Sequence, residues 1–584
     1  MAEKEITIEI KRPEIIVLLI FLSIILILEL QVTINTPIVF GDEGLHTRMA
    51  QWIGQEKEYP VWIPFTRTKL VEYSFFRPPL WNILEGSFYF LFGFNDIIVR
   101  FLTPFIGTIL IGLAIFVLVG KIYSKEVGFI AAIIAVTITS LVTYSVIFYT
   151  DALFTFYFCL FGLTFILAIK TENKKYWILA GIFSALAILT KHPGMIIVPS
   201  SIVVFFLYQV HKEGLSKKLK NYFVLILLLI LISGPYFLRN FVYYDTPSCI
   251  LPLFSNKGCE KAFEYTNIEK FIGGYIGGSS GERIFEVGII NHFNFAYGNI
   301  WFIQLTFLCG LFYIGWRRKD VDVLILLMVL AFLPLFSYSM GGRIEDLSRY
   351  TLSFVPFVAL ISGTYFSGIH KYISKIDFIW MGALVFLVIN FYLLYNNYIQ
   401  ISLILSIVLG VSILLASVFL LLTKKYQYAL IVTFFSFIIL SSFVNFYGKI
   451  IGMVQVKQFV PSFFDACNFI RQNTAEDAII LTVWDYGTTY NSQRTVYQIA
   501  AMPDSGDIVL SGDVDLTLSR LKAHGVTHIF VQKWSINAVH YPPEFVRFLE
   551  NNPDTFEKVY ETGPDLDTCL SQGGCDGAVI YQVN

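Results

Sequence analysis

Charge is what this chain has least of. Of its 584 residues only 15% are Asp, Glu, Lys or Arg, against 56% hydrophobic, and the mean hydropathy is +0.66. Long uncharged runs on that scale exclude a soluble globular domain and define a polytopic α-helical membrane protein. The formal net charge of −1 offers no basic footprint, and nucleic acid is not an expected partner. Cysteine is scarce too: seven residues, no C-x-x-C spacing and no His-rich tract, which argues against a structural zinc site. The first apolar run, residues 14–32, lacks a small-residue cleavage site and is too long for a signal-peptide core, so it is expected to stay attached as a span.

What is present is a succession of apolar windows of span length. They predict about thirteen transmembrane helices, centred near Ile24, Ile109, Ala135, Phe161, Ser184, Phe205, Leu228, Phe307, Leu330, Val358, Val385, Val408 and Phe435. With the N-terminus placed in the cytoplasm, alternate loops carry Lys121/Lys125, Lys170/Lys174/Lys175, Lys212/Lys217/Lys218/Lys220, Arg317/Arg318/Lys319, Lys371/Lys375 and Lys424/Lys425. The opposite short connections hold little beyond Lys191, Arg343 and Arg349, so the positive-inside rule fixes this orientation for a multi-pass protein of the cell membrane.

The chain then divides into a membrane domain, residues 1–448, and an extracytoplasmic domain, residues 449–584. The membrane domain has two long outer loops, 33–100 and 241–299. In the tail, apolar alternation predicts an α/β domain with strands over 478–484, 527–532, 556–561 and 577–583 and helices over 514–523 and 542–551. Cys249/Cys259 and Cys569/Cys575 fall in outer segments, each pair close enough to form a disulfide, whereas Cys159 and Cys309 sit in spans and Cys467 is left over.

Against so apolar a background, ionisable residues at span ends stand out. Asp42-Glu43 follows the first span and Asp151 opens the fourth. Arg77 precedes Pro78-Pro79, Lys191-His192 lies between two spans, Arg239 ends the seventh and Arg349 begins the tenth. All fall on the outer side. Each has a plainer reading: acids in a first helical turn, Asp151 as an N-cap, Lys191 snorkelling to headgroups, Arg239 marking the interface, Arg349 on the surface beside Glu345 and Asp346. Taken together they can build one charged pocket. Arg and Lys hold a phosphate leaving group by charge-assisted bonds, and a carboxylate accepts the proton of an attacking hydroxyl.

The order GDEGLHTRMAQWI, then YP, then FFRPPLWNILEGSFYFLFGFNDIIVRFLTPFIG resembles the polyprenyl-phosphate-sugar-dependent membrane glycosyltransferases of the GT-C fold, which include protein O-mannosyltransferases and lipid A aminoarabinose transferases. The likeness continues through TDALF, LTKHPG, GPYFLRN and RYTLSFVPFVAL, across about residues 14–370. It implies Asp42 as catalytic base with Glu43 as partner and Asp151 as the second acid. Arg77 stands where the aminoarabinose transferases carry a phosphate-binding lysine. Lys191, Arg349 and Arg239 join Arg77 as expected donor-phosphate contacts. Phe76 replaces a glutamate that those enzymes link to a metal, so no cofactor is assigned; His46 and His292 are the candidate ligands should a divalent metal bind.

The implied partners are a polyprenyl- or dolichyl-phosphate sugar donor, membrane lipids, and a protein, lipid or glycan acceptor. Two alternatives stay open. Val483-Trp484-Asp485-Tyr486-Gly487 resembles the WWDYG signature of oligosaccharyltransferases, with Trp484, Asp485 and Tyr486 as acceptor contacts; a strand ending in a Tyr-Gly turn explains it without function. A lipid or solute transporter would also place charges in a membrane cavity, but no internal repeat is visible and the candidate charges sit at span ends.

Overall fold

The computed structural model describes residues 12–35, 41–60, 65, 78–147, 149–244, 301–332, 349, 352–373, 461–499, 505–536, 542–571 and 575–584. The membrane part comprises α1 (Arg12–Asn35), α2 (Gly41–Glu56), α3 (Pro79–Phe92), α4 (Asp96–Pro104), α5 (Ile111–Ile122), α6 (Lys125–Thr137), α7 (Thr139–Val146), α8 (Asp151–Thr171), α9 (Lys174–Thr190), α10 (Gly194–Glu213), α11 (Leu215–Tyr244), α12 (Trp301–Arg317), α13 (Asp320–Ala331) and α14 (Val355–Ile373). Five of these stretches are long and apolar enough to cross a membrane, six if the bent pair α6–α7 is one span. The expected count of about thirteen is thus not reached among the described residues, and the centres near Val385, Val408 and Phe435 lie outside them.

Local sequence explains the irregular stretches. Pro104 cannot donate a backbone hydrogen bond, and the turn after it widens into a π-helix, Phe105–Leu110, before α5 resumes. The α6–α7 pair bends by 61°. Around the bend run Val136, Thr137, Ile138 and Thr139, β-branched residues that crowd a helix, and Thr137 Oγ1 donates back to the carbonyls of Ile133 and Ile134 at 2.9 and 3.0 Å.

Helix α8 is the buried axis of the bundle. Its 21 residues span about 31 Å, enough for the hydrocarbon core. Phe158, Phe161 and Phe165 stack along it and meet Trp177, Phe205, Phe332 and Phe357. The basic loops gather where α8 ends. Lys170 Nζ donates to the Ile122 carbonyl at 2.7 Å, the Tyr123 hydroxyl to Asp322 at 2.6 Å, Arg317 Nε to Asp322 at 2.7 Å, and Lys212 pairs with Asp320 at 3.0 Å. Asp151 lies at the opposite end of the same helix. The bundle therefore has a basic end and an end that carries the candidate site.

The tail forms α15 (Pro461–Asn473), β1 (Ile479–Thr482), α16 (Asp485–Ser492), β2 (Thr495–Gln498), α17 (Ser505–Leu510), α18 (Val514–Ala523), β3 (His528–Gln532), α19 (Pro543–Glu550), β4 (Phe556–Thr562), α20 (Leu566–Ser571) and β5 (Ala578–Val583). The sheet order is β2-β1-β3-β5-β4, with β2, β1 and β3 parallel and β5 and β4 antiparallel additions. Period-2 alternation divides its core. Leu481, Ile529, Val531, Val579 and Tyr581 pack with Leu521 and Phe545 on one face, while Ile480, Phe530 and Ile580 pack with Phe463 and Ile470 of α15 on the other. Cys569 and Cys575 are joined in a disulfide; Cys159 and Cys467 are buried free thiols, and Cys249 and Cys259 lie outside the described residues.

Candidate functional site

At the end of the bundle away from the basic loops, α8 begins with Thr150 as N-cap and Asp151 in its first turn. Asp151 is not the cap itself. It is 1% exposed, and one carboxylate oxygen is in an ion pair with Lys191 Nζ while the other accepts from Arg349 Nη2 at 3.5 Å. Lys191, where the backbone leaves α9 in an extended conformation, is 9% exposed, so it points inward rather than snorkelling. The Arg349 guanidinium lies 4.1 Å above the Tyr149 ring, a cation–π contact that orients it. Three residues from distant parts of the sequence thus meet. Among the described residues, one carboxylate is thus set against two cations.

Helix α2 packs against this corner. Ala50 shares a core with Trp81 and Tyr89 of α3, Ile106, and Ala152 and Leu153 of α8. The α2–α3 crossing is close: a Cβ on Gly86 would lie 2.8 Å from Ile53 Cγ2 and 3.0 Å from the Ala50 carbonyl oxygen. Asp42 occupies the second position of α2, and Glu43 beside it is buried. His46 Nδ1 is 2.7 Å from Asn82 Oδ1, and no group of three metal-ligating side chains forms among the described residues. His46 is therefore engaged by a side-chain amide. Arg77 and His292 lie outside the described residues.

Arg239 is placed differently from Lys191 and Arg349. Its Nη2 donates to the carbonyls of Tyr59 and Pro60 at 3.2 and 2.9 Å, with the rings of Tyr59 and Tyr243 at 5.1 and 5.3 Å. It ties the segment following α2 to the end of α11. Its buried Nη1 finds no acceptor among the described residues.

The VWDYG segment runs from the end of β1 into a helix rather than a turn. Trp484 is half-buried between Phe463 and Trp534, ring centroids 5.0 and 5.3 Å away, and Asp485 and Tyr486 open α16. Helix α16 packs against α2, so the motif sits behind the acid-bearing helix. Arg48 Nη1 donates to Gln493 Oε1 at 2.5 Å across this contact, and burial pulls its guanidinium down to about 10.

Sequence reasoning missed Arg48, Gln493, Tyr149 and Glu29. Tyr149 had a local signal, two residues before the conspicuous Asp151. Glu29, fully buried within the first span, accepts from Thr108 Oγ1 at 2.5 Å; it is a carboxyl inside the membrane where charges were expected only at span ends.

A sequence profile described as dolichyl-phosphate-mannose-protein mannosyltransferase matches residues 77–236. Among solved structures, ArnT from Cupriavidus metallidurans bound to undecaprenyl phosphate covers 97% of this chain and 97% of its own, at 12% identity and a TM-score of 0.63. Its apo state gives 13% identity and a TM-score of 0.62 over 97% of both chains. The oligosaccharyltransferase AglB from Archaeoglobus fulgidus, in complex with an inhibitory peptide and a dolichol-phosphate, matches at 13% identity and a TM-score of 0.54, over 93% of this chain and 73% of that one. No curated protein sequence matches the chain. Over nearly its full length the chain therefore shares the fold of these solved structures.

Proposed function

We propose that the protein is an integral membrane glycosyltransferase that moves a sugar from a polyprenyl- or dolichyl-phosphate carrier to an acceptor at the extracytoplasmic face. The observation that carries this reading is the cluster of Lys191 and Arg349 on the buried Asp151 at one end of α8, packed beside the helix that carries Asp42-Glu43 in its first turn. Lys191 and Arg349 hold the donor phosphate, with Arg77 and the spare Arg239 donor as further contacts, and Asp151 orients the first two. Asp42, supported by Glu43, takes the proton of the acceptor hydroxyl as its oxygen bonds to the anomeric carbon. The bond from that carbon to the phosphate oxygen breaks, and the polyprenyl phosphate leaves with its charge held by the cations. The solved ArnT structure that contains undecaprenyl phosphate supports this donor class. The orientation with the N-terminus in the cytoplasm and the tail outside belongs to the same reading.

The test is transfer of radiolabelled sugar from a panel of lipid-phosphate sugars in membranes, wild type against Asp42→Asn. Transfer from a monophosphate-linked monosaccharide, lost by about 10³-fold or more in the variant, is the expected result, since the base contributes at least its general-base share. Transfer only from a lipid-linked oligosaccharide to a sequon peptide would instead assign the oligosaccharyltransferase reaction, which the likeness to AglB keeps in view. Full activity of Asp42→Asn would overturn the assignment of the base.

A further inference from the structure

Helix α2 is gripped from two sides. Toward the bundle it packs on α3 and on the start of α8. Toward the tail, Arg48 Nη1 donates to Gln493 Oε1 at 2.5 Å and to Gln51 Oε1 at 3.1 Å, and its guanidinium lies 5.3 Å over the Phe65 ring. Gln493 is not a flexible partner. It ends α16 in the left-handed region at φ 56°, and its Nε2 donates to the Tyr490 carbonyl at 2.5 Å, which fixes the amide and turns Oε1 toward Arg48. Three residues further, Val496 of the edge strand β2 donates its backbone N–H to the Phe65 carbonyl at 3.1 Å. The tail thus holds the first outer loop at two adjacent points: by side chains through Arg48 and by the sheet edge through Phe65.

We propose that Arg48 and Gln493 are positioning residues for transfer, locking the acid-bearing helix against the tail domain so that Asp42 stays in its working place. The proposal rests on the reading of Asp42 as the base. Asp42 lies six residues from Arg48 on one continuous helix, about 9 Å along the axis, so a slip of α2 at Arg48 is carried directly to the acid. Reacting groups tolerate little of this: a displacement of about 1 Å costs on the order of a hundredfold in rate. Neither Arg48 nor Gln493 touches the reacting atoms. Their effect falls on the turnover step and leaves the grip on the donor phosphate intact.

The experiment compares Arg48→Ala, Arg48→Lys, Gln493→Ala and the Arg48→Ala/Gln493→Ala double variant in the full-length protein, by steady-state transfer and by hydrogen exchange of α2 amides. Each alanine variant is expected to lower kcat about tenfold or more at unchanged donor KM, with faster exchange in α2 and unchanged protection of the tail strands β1 and β3. Arg48→Lys retains a donor to Gln493 and is expected to recover part of the loss. The double variant should be no worse than either single one, because the two act through one contact. Single-variant rates within twofold of wild type, multiplicative losses in the double variant, or α2 exchange that stays at the wild-type rate would each overturn the proposal. The exchange arm does not depend on transfer. If Asp42→Asn is fully active while α2 still loosens in Gln493→Ala, it is the assignment of the base that fails; if Asp42→Asn is dead and α2 stays firm, it is the positioning.

Discussion

A carboxylate shared between two cations is hard to replace. Asp151 is buried, and removing it would take away the carboxylate that both Lys191 and Arg349 contact. Asp151→Ala is expected to cost about 3–5 kcal/mol of stability, read as a large drop in the thermal midpoint in detergent. Lys191→Met is expected to raise the donor KM about tenfold or more, the worth of one charge-assisted hydrogen bond. Binding of a sugar-free polyprenyl phosphate should weaken in parallel. These three residues were legible in the sequence because an apolar background makes each ionisable side chain conspicuous. Their pairing was not, since Asp151 lies 40 residues from Lys191 and 198 from Arg349, and no local pattern links them. Arg48 and Gln493 gave even less signal: they are ordinary polar residues whose meaning comes only from the surface each one faces.

Among the elements, legibility follows the origin of each one's stability. Strands β1, β3, β4 and β5 and the helices Val514–Ala523 and Pro543–Glu550 lie where expected, because alternation and amphipathic spacing are written into their own residues, whereas the short edge strand β2 is not foreseen. Nor is helix α16. Its sequence DYGTTYNS is poor in helix formers, so its shape depends on packing against α2, which no local rule foresees. The bent pair α6–α7 covers the span expected near Ala135, and length and apolarity alone carry no sign of its bend. The α2–α3 crossing yields a prediction of its own. Gly86→Ala would drive a methyl group against Ile53 and the Ala50 carbonyl, so a loss of about 1–3 kcal/mol is expected in thermal unfolding, together with reduced transfer. In the tail, burial holds the His528 imidazole below its usual 6.5. It is neutral when folded and charges more readily when unfolded, so its stabilising share is full above pH 6.5 and is lost as the pH falls toward the folded value. Thermal midpoints of the intact protein should fall from pH 7.5 to 5, and His528→Gln should flatten part of that slope.

The whole molecule is polarised along α8, with Lys170 and the other basic groups at one end and Asp151 at the other. On the proposed orientation, an impermeant maleimide should label a cysteine placed at Lys558 in intact cells and leave one placed at the exposed Asn173 unlabelled until the membrane is opened. The reverse pattern would invert the orientation of the chain. The class of the protein is readable from composition at this scale, whereas the expected span count is met only in part among the described residues, since the centres near Val385, Val408 and Phe435 lie outside them. The contact between Arg48 and Gln493 also carries a consequence for biosynthesis. The two residues lie 445 positions apart, so at ordinary elongation rates the ribosome makes the second about 20–90 s after the first. For that interval α2 exists without its contact to Gln493, and on the proposed function and orientation a nascent chain that already holds the acids and the membrane cations stays silent until the tail has crossed the bilayer and folded onto it.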